Sequence, residues 1–277
     1  MAKGIGLIGN FKGKVGNMVG YKLSDSNTGN TQGIRVYQPI VKNPKTAAQA
    51  EQRAKLAPIN ATYRALKLVI DRGNEGLPYG NKSRLAWLKK AFKAEVMPWF
   101  EKGAVINQPI LCELTRGSLP SIEKPSRSDE NISISVTGVT DATTTLGALS
   151  TALLATYTFL KDGDQITFVG VEKASGDMLT YVDSFVIDSA STAAIPSFLS
   201  VSEGVIETNR TLGALMAGAV ILSREGANGE HLRSSESLAE MEDYGTTHTT
   251  SEAKAAAIES YMSSASANAD WAEESIQ

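Results

Sequence analysis

Two imidazoles, His231 and His248, and one thiol, Cys112, are the groups in this chain that ordinary nucleophilic catalysis would draw on. A hydrolytic triad needs a nucleophile, a base and an orienting group within hydrogen-bond reach of one another. His231 stands in a Gly-Glu-His turn context and His248 in Gly-Thr-Thr-His-Thr-Thr, and both read as exposed loop positions. Cys112 lies in a strand-like apolar run, where a cysteine behaves as a small buried hydrophobe. No catalytic residue is expected, and the chain reads as non-enzymatic. Asp162-Gly163-Asp164 opens like an oxygen-ligand calcium loop, but the remaining carboxylates and the closing glutamate of an EF-hand are missing, so a hairpin turn explains it better. Gly4-x-Gly6-x-x-Gly9 matches the dinucleotide fingerprint in letters only, with no strand before it and no helical pattern after it. Gly13-Lys14 is followed by Val15, which is not a phosphate loop. Neither cofactor nor metal is expected.

What remains is positive charge. Lys12, Lys14, Lys22, Arg35, Lys42 and Lys45 precede the first helical pattern, and Arg53 and Lys55 lie on it. These eight side chains are the candidate contacts to nucleic acid or to another subunit. Bound to phosphates they would give affinity that is largely blind to sequence and falls steeply with salt. Tyr21, Tyr37 and Tyr63 offer faces on which bases could stack. The competing reading is that lysines and arginines on an amphipathic helix are its solvated face. The chain as a whole carries −3, yet residues 1–125 carry +12 and residues 126–277 carry −15. Asymmetry of that kind points to a polyanion, an acidic partner, or neighbouring copies held basic half to acidic half.

The elements that must position these residues follow from spacing. Residues 4–41 alternate glycine, β-branched and basic residues around a polar turn at Asp25–Gln32, which predicts a hairpin or extended arm. Thr46 and Gln49 have capping-box spacing and predict a helix from Thr46 to about Asp71, with Leu56, Ile59, Tyr63, Leu66 and Ile70 on one face and a kink or division at Pro58. A second helix is predicted from about Lys82 to Lys102 after a cap at Asn81. Residues 104–119 read as strand-like. Residues 121–130, charged and proline-bearing, read as a linker between a basic arm-and-helix domain at 1–120 and an antiparallel β-domain at 131–235. Strands are predicted around Ile132–Val136 and at Thr156–Leu160, Gln165–Val171, Tyr181–Ile187 and Ala219–Ser223. An acidic helical tail at 236–277 follows, with Thr249 and Glu252 at capping-box spacing and Ile258, Tyr261, Met262 and Ala265 on one face. Its Ser- and Ala-rich end, Ser263 to Gln277, is expected to order against a partner. The fold class is therefore α+β: an N-terminal β-arm or hairpin plus two helices, then an antiparallel β-sandwich-like domain and a C-terminal helix. One cysteine excludes an internal disulfide framework, the interrupted N-terminus lacks a signal-peptide core, and no stretch approaches the length of a membrane span.

The run Gly9-Asn10-Phe11-Lys12-Gly13-Lys14-Val15-Gly16-Asn17-Met18-Val19-Gly20-Tyr21, with Asn43-Pro44-Lys45-Thr46-Ala47-Ala48-Gln49 and Gln52-Arg53-Ala54-Lys55, resembles an uncharacterised family of Bacteroidota genomes and their phages. Thr115-Arg116-Gly117-Ser118-Leu119-Pro120 is similar to that family's join between a helical part and a β-domain. The likeness covers roughly residues 4–120; the polar stretch Ser24–Gln32 and the acidic tail beyond Arg233 depart from it. The family has no assigned activity, so the resemblance implies a phage context and no catalytic residues. The expectation is a bacteriophage virion structural protein, made in the bacterial cytoplasm and capsid-associated, connector or tail in kind. It would assemble with other virion proteins or with copies of itself. The alternative is a nucleic-acid-binding protein, packaged with a genome, whose residues 1–125 contact phosphates of DNA.

Overall fold

The computed structural model describes residues 13–23, 31–37, 46–122, 131–173, 176, 178–209 and 214–263. Chain contacts divide it into two compact units, residues 1–45 and 46–277. The division thus falls ahead of the first helix and not at 121–130, because helices before that stretch and strands after it share one apolar core. The greater part of the expected linker, residues 123–130, lies outside the described residues.

The first unit is an antiparallel sheet of β1 (Gly13–Val15), β2 (Met18–Leu23) and β3 (Thr31–Val36), in that order. The two-residue loop Gly16-Asn17 joins Val15 to its partner Met18, and Gly16 takes φ +58°. A hairpin loop of this length needs positive φ at its first central residue, which glycine supplies without a Cβ clash.

The second unit is α+β. Helix α1 (Ala47–Ala65) begins where expected, with Thr46 Oγ1 accepting from the Gln49 N–H at 3.3 Å. Pro58 does not divide it. The interruption comes at Leu66 (φ −108°, ψ 25°), before the short helix α2 (Lys67–Ile70). The buried stripe is Ala50, Ala54 and Pro58 with Ile59 and Thr62, while Leu56 stands 40% exposed. Helix α3 (Asn81–Ala91) starts after Gly80 and stops well short of Lys102. Beyond it Met97, Trp99 and Phe100 are buried, on irregular backbone. Residues 104–119 form isolated bridges, Val96 to Leu111, Asn74 to Arg116 and Glu113 to Ser237 among them.

A five-stranded antiparallel sheet forms the centre. Its order is β10 (His231–Arg233), β9 (Leu215–Glu225), β5 (Gln165–Glu172), β6 (Leu179–Val186), with β11 (Ala239–Glu240) also on β9. A second sheet, β4 (Ser133–Ser135), β8 (Val205–Thr208) and β7 (Leu199–Ser202), completes the sandwich-like pair. Side chains alternate across β5 and β9. Val169, Val171, Ala217, Ala219 and Ile221 pack with residues of α1, α2 and α3, and Ile166, Phe168, Val220 and Leu222 pack with β4, β8 and helix α4 (Leu146–Thr156). Both strands are therefore covered on two faces, which is why they read as continuous apolar runs. Gly170 lies opposite Gly218 on one side and Tyr181 on the other. A Cβ on Gly170 would stand 2.2 Å from the Tyr181 ring, and one on Gly218 would stand 2.9 Å from Ile132, so Gly170 makes room for the ring of its cross-strand neighbour and Gly218 for the residue just before β4.

Thr156–Leu160, expected as a strand, is instead the end of α4 and a turn; Thr145 caps that helix by accepting from the Ala148 N–H at 3.4 Å. The last helix, α5 (Ser251–Ser263), is capped by Thr250 and not Thr249: Thr250 Oγ1 accepts from the Ala253 N–H at 3.1 Å. Its inward face is Ala253, Ala257 and Tyr261, with Met262 42% exposed; Ala265 lies outside the described residues.

Candidate assembly interface

Strand register decides which side chains of the first unit share a face. Lys14 pairs with Val19 and Val19 with Arg35, so the three lie in one row across β1, β2 and β3. The next row, which holds Met18 and Val36, belongs to the opposite face, because successive residues of a strand alternate. Lys14 and Arg35 are exposed, and the Lys14 ammonium sits 3.6 Å from the centroid of the Tyr37 ring. On the other face Met18 is 41% and Val36 is 72% exposed. A sheet this small reaches independent stability only when an apolar face is packed against something. One face is cationic and the other carries an exposed apolar pair. That pair was legible only once the register placed Met18 beside Val36.

The eight expected contact residues are distributed over both units. Lys14 and Arg35 come together on β1 and β3. Lys12, Lys42 and Lys45, like Gly4, Gly6 and Gly9, lie outside the described residues, and Lys22 is described only in its pairing opposite Gln32. Arg53 and Lys55 belong to α1, in the second unit. Arg53 is exposed. Lys55 is committed: it pairs with Glu51 at 3.1 Å, lies 5.8 Å from the centroid of Trp99, and lines a cleft of about 350 Å³ with Phe92 and Met97. Glu51 also pairs with Lys254 of α5 at 3.1 Å, and hydrogen bonds from Lys55 and then Lys254 hold its carboxyl below the ordinary value. Among the described residues no carboxylate pairs with Lys14, Arg35 or Arg53.

Elsewhere the groups that could do chemistry are built into the fold. The His248 ring lies tilted against Phe100 with centroids 4.3 Å apart, and the His248 carbonyl accepts the Trp99 N–H; the His231 ring lies tilted against Tyr79 at 5.8 Å. Burial pushes the Cys112 thiol up to about 12. Asp164, 1% exposed, accepts from Arg224 Nε at 2.6 Å and Nη2 at 2.7 Å and from the Lys161 N–H at 2.9 Å. Asp162 holds the Ser189 N–H and hydroxyl. The Asp-Gly-Asp turn joins α4 to β5 and is not a hairpin. Among the described residues no group of three or more His, Cys, Asp or Glu is placed to hold a metal ion, and no helix is long and apolar enough to cross a membrane.

The Thr115–Leu119 strip is pinned from both sides. Thr115 exchanges hydrogen bonds with Glu236, Leu119 N–H donates to Arg233, and a Cβ on Gly117 would stand 2.0 Å from the Arg233 carbonyl. Glu75 accepts from the Ser118 N–H at 2.8 Å, the Ser118 hydroxyl at 2.9 Å and the Arg233 N–H at 3.2 Å. Burial alone would raise the Glu75 carboxyl; these hydrogen bonds outweigh it and hold it below the ordinary value. No protein-family model, curated protein or solved structure matches the chain.

Proposed function

We propose that this chain is a non-enzymatic structural component of a bacteriophage particle, assembling through its glycine-rich, basic N-terminal sheet with other virion proteins or with copies of itself. The observation that carries the reading is the two-faced sheet: Lys14 and Arg35 exposed in one row, Met18 and Val36 exposed in the next. Residues 1–45 carry +6 and residues 46–277 carry −9, so the sheet is matched in sign to acidic protein surfaces, its own kind included.

The same cationic row, with Tyr37 beside it, supports contact with DNA phosphates as a second reading. Phosphate binding accounts for Lys14 and Arg35 but gives the Met18–Val36 pair nothing to do, and for that reason assembly is preferred. Titration of the full chain with single- and double-stranded DNA at two salt concentrations separates the readings. Assembly predicts weak binding that vanishes at physiological salt, together with self-association or capture of virion proteins that Val36→Asp abolishes. Tight, steeply salt-dependent DNA binding that Val36→Asp leaves intact would overturn it in favour of the second reading.

A further inference from the structure

The five-stranded sheet of the second unit has two edges, and they are finished differently. One carries β10 and β11, three and two residues long, and the 115–119 strip lies against it: the Leu119 N–H donates to the Arg233 carbonyl at 2.9 Å, and Leu119 bridges to Ser234. The other edge is β6, eight residues long, and among the described residues no strand lies beyond it. Sheet edges that stay unpaired are ordinarily short, bulged, or guarded by lysine or proline. None of these applies to β6. Its register with β5 runs unbroken from Leu179 to Val186, and Asp183 is its one charge.

The end of the strand decides which of its backbone groups face outward. The Ile187 N–H donates to the Asp164 carbonyl at 2.7 Å and the Ile187 carbonyl accepts the Gly163 N–H at 2.8 Å, so both point towards the β5 side. Along an antiparallel strand these groups alternate from one edge to the other. Thr180, Val182, Ser184 and Val186 therefore direct theirs away from β5, and among the described residues no backbone group outside the sheet bonds to them. Their side chains share the face on which the Thr180 hydroxyl donates to the Ala65 carbonyl of α1 at 3.1 Å. Val182 and Val186, 40% and 49% exposed, flank the exposed Ser184 on it.

We infer that β6 is a pairing edge and that its occupant is β6 of a second copy, antiparallel about a two-fold axis at Ser184. A foreign strand could add to the same backbone groups; what selects a second copy is that Val182-Asp183-Ser184-Phe185-Val186 matches its own reverse. In that register Val182 of each copy stands opposite Val186 of the other, and Ser184 stands opposite Ser184. The outward groups of these residues then make about six N–H···O bonds, and each exposed valine is covered by a β-branched neighbour across the strands. An axis at Asp183 sets two carboxylates directly opposite, which is destabilising. An axis at Val182 carries Val186 past the start of the facing strand, to Met178. The contact is isologous and closes after two copies. Residues 1–45 take no part in it, so the inference stands apart from assembly through the N-terminal sheet and survives its failure.

Sedimentation velocity of the full chain over a wide range of protein concentration tests it. A monomer–dimer equilibrium should appear and should persist in Val36→Asp, a substitution in the N-terminal sheet. Val182→Lys should raise the dissociation constant at least about ten-fold, because lysine guards an edge and the dimer carries the substitution twice. Under mild oxidation Ser184→Cys should cross-link to its counterpart, since directly opposed Cα atoms stand about 5.5 Å apart, within disulfide reach. Val182→Cys and Val186→Cys should not, their counterparts lying about 14 Å away. Cys112, buried with its thiol at about 12, does not compete. A monomer at every concentration, or a dimer indifferent to Val182→Lys, would overturn the inference, and cross-linking at Val182→Cys ahead of Ser184→Cys would overturn the register. Should a variant fail to fold, hydrogen exchange on the unsubstituted chain at low and high concentration decides. Slower exchange across β6 at high concentration, with β10 unchanged, supports the pairing, and no difference at β6 overturns it.

Discussion

Replacing Asp164 with alanine should cost the second unit about 3 kcal/mol. Removing one partner of a buried ion pair leaves the other charge unpaired, which ordinarily costs about 3–5 kcal/mol. Asp164 is 1% exposed, whereas the Arg224 side chain is 18% exposed and keeps some contact with water, so the low end applies. Arg224 Nη2 also donates to the Phe159 carbonyl at 2.7 Å, which softens the loss, while the Lys161 N–H loses its acceptor, which adds to it. In urea, with a slope of about 2–3 kcal/mol per molar for a unit of this size, the midpoint should fall by about 1 M. Arg224→Met in the Asp164→Ala background should recover at least about 1 kcal/mol, since the stranded charge goes with it. A single-variant loss under about 1 kcal/mol, or a double variant as costly as the sum of the singles, would refute the assignment of this pair as a buried pin between the α4–β5 turn and β9.

Three further predictions rest on other contacts. Gly170→Ala should destabilise by about 1–3 kcal/mol, because the Tyr181 ring must move out of a packed layer; a neutral result in the same urea assay would mean the ring has room. Glu75→Gln should be destabilising at neutral pH, and the difference from the unsubstituted chain should shrink as pH falls below the ordinary carboxylate range. The Glu75 carboxyl is lower in the folded state than its unfolded value of about 4.3, so its contribution is present above that value and lost as pH falls through the folded one; parallel stability curves across that window would contradict it. Cys112 should resist a thiol reagent at pH 8 until the chain unfolds, burial having pushed its thiol to about 12, and labelling at the rate of a free cysteine would show otherwise.

Strands β5, β6 and β9 were legible because turn signals bracket β-branched runs, as Gly226–Gly229 does between β9 and β10. Helix α4 was not: Leu146–Thr156 is apolar or hydroxyl-bearing on all sides, so no 3.6-residue face stands out, and its helical state is set by packing. Strands β7 and β8 are four residues each and partly exposed, too short for alternation to register. On α1 the expected face held at Ile59, Tyr63, Leu66 and Ile70 but not at Leu56, because towards the helix start the buried positions are Ala50 and Ala54, small residues on the helix that α5 packs against. Of the interface, the charge was plain in composition, but the two faces were not: the row Lys14–Val19–Arg35 joins residues up to 21 positions apart and exists only through pairing.

The central claim, assembly through the N-terminal sheet, is tested most directly by counting copies of the chain in purified phage particles by mass spectrometry. The host supplies either the unsubstituted chain or Lys14→Glu/Arg35→Glu. The account predicts a fixed, stoichiometric number of copies of the unsubstituted chain and loss of the variant from particles, with the variant folded and soluble in the lysate. Particles free of the unsubstituted chain, or equal incorporation of both, would contradict it.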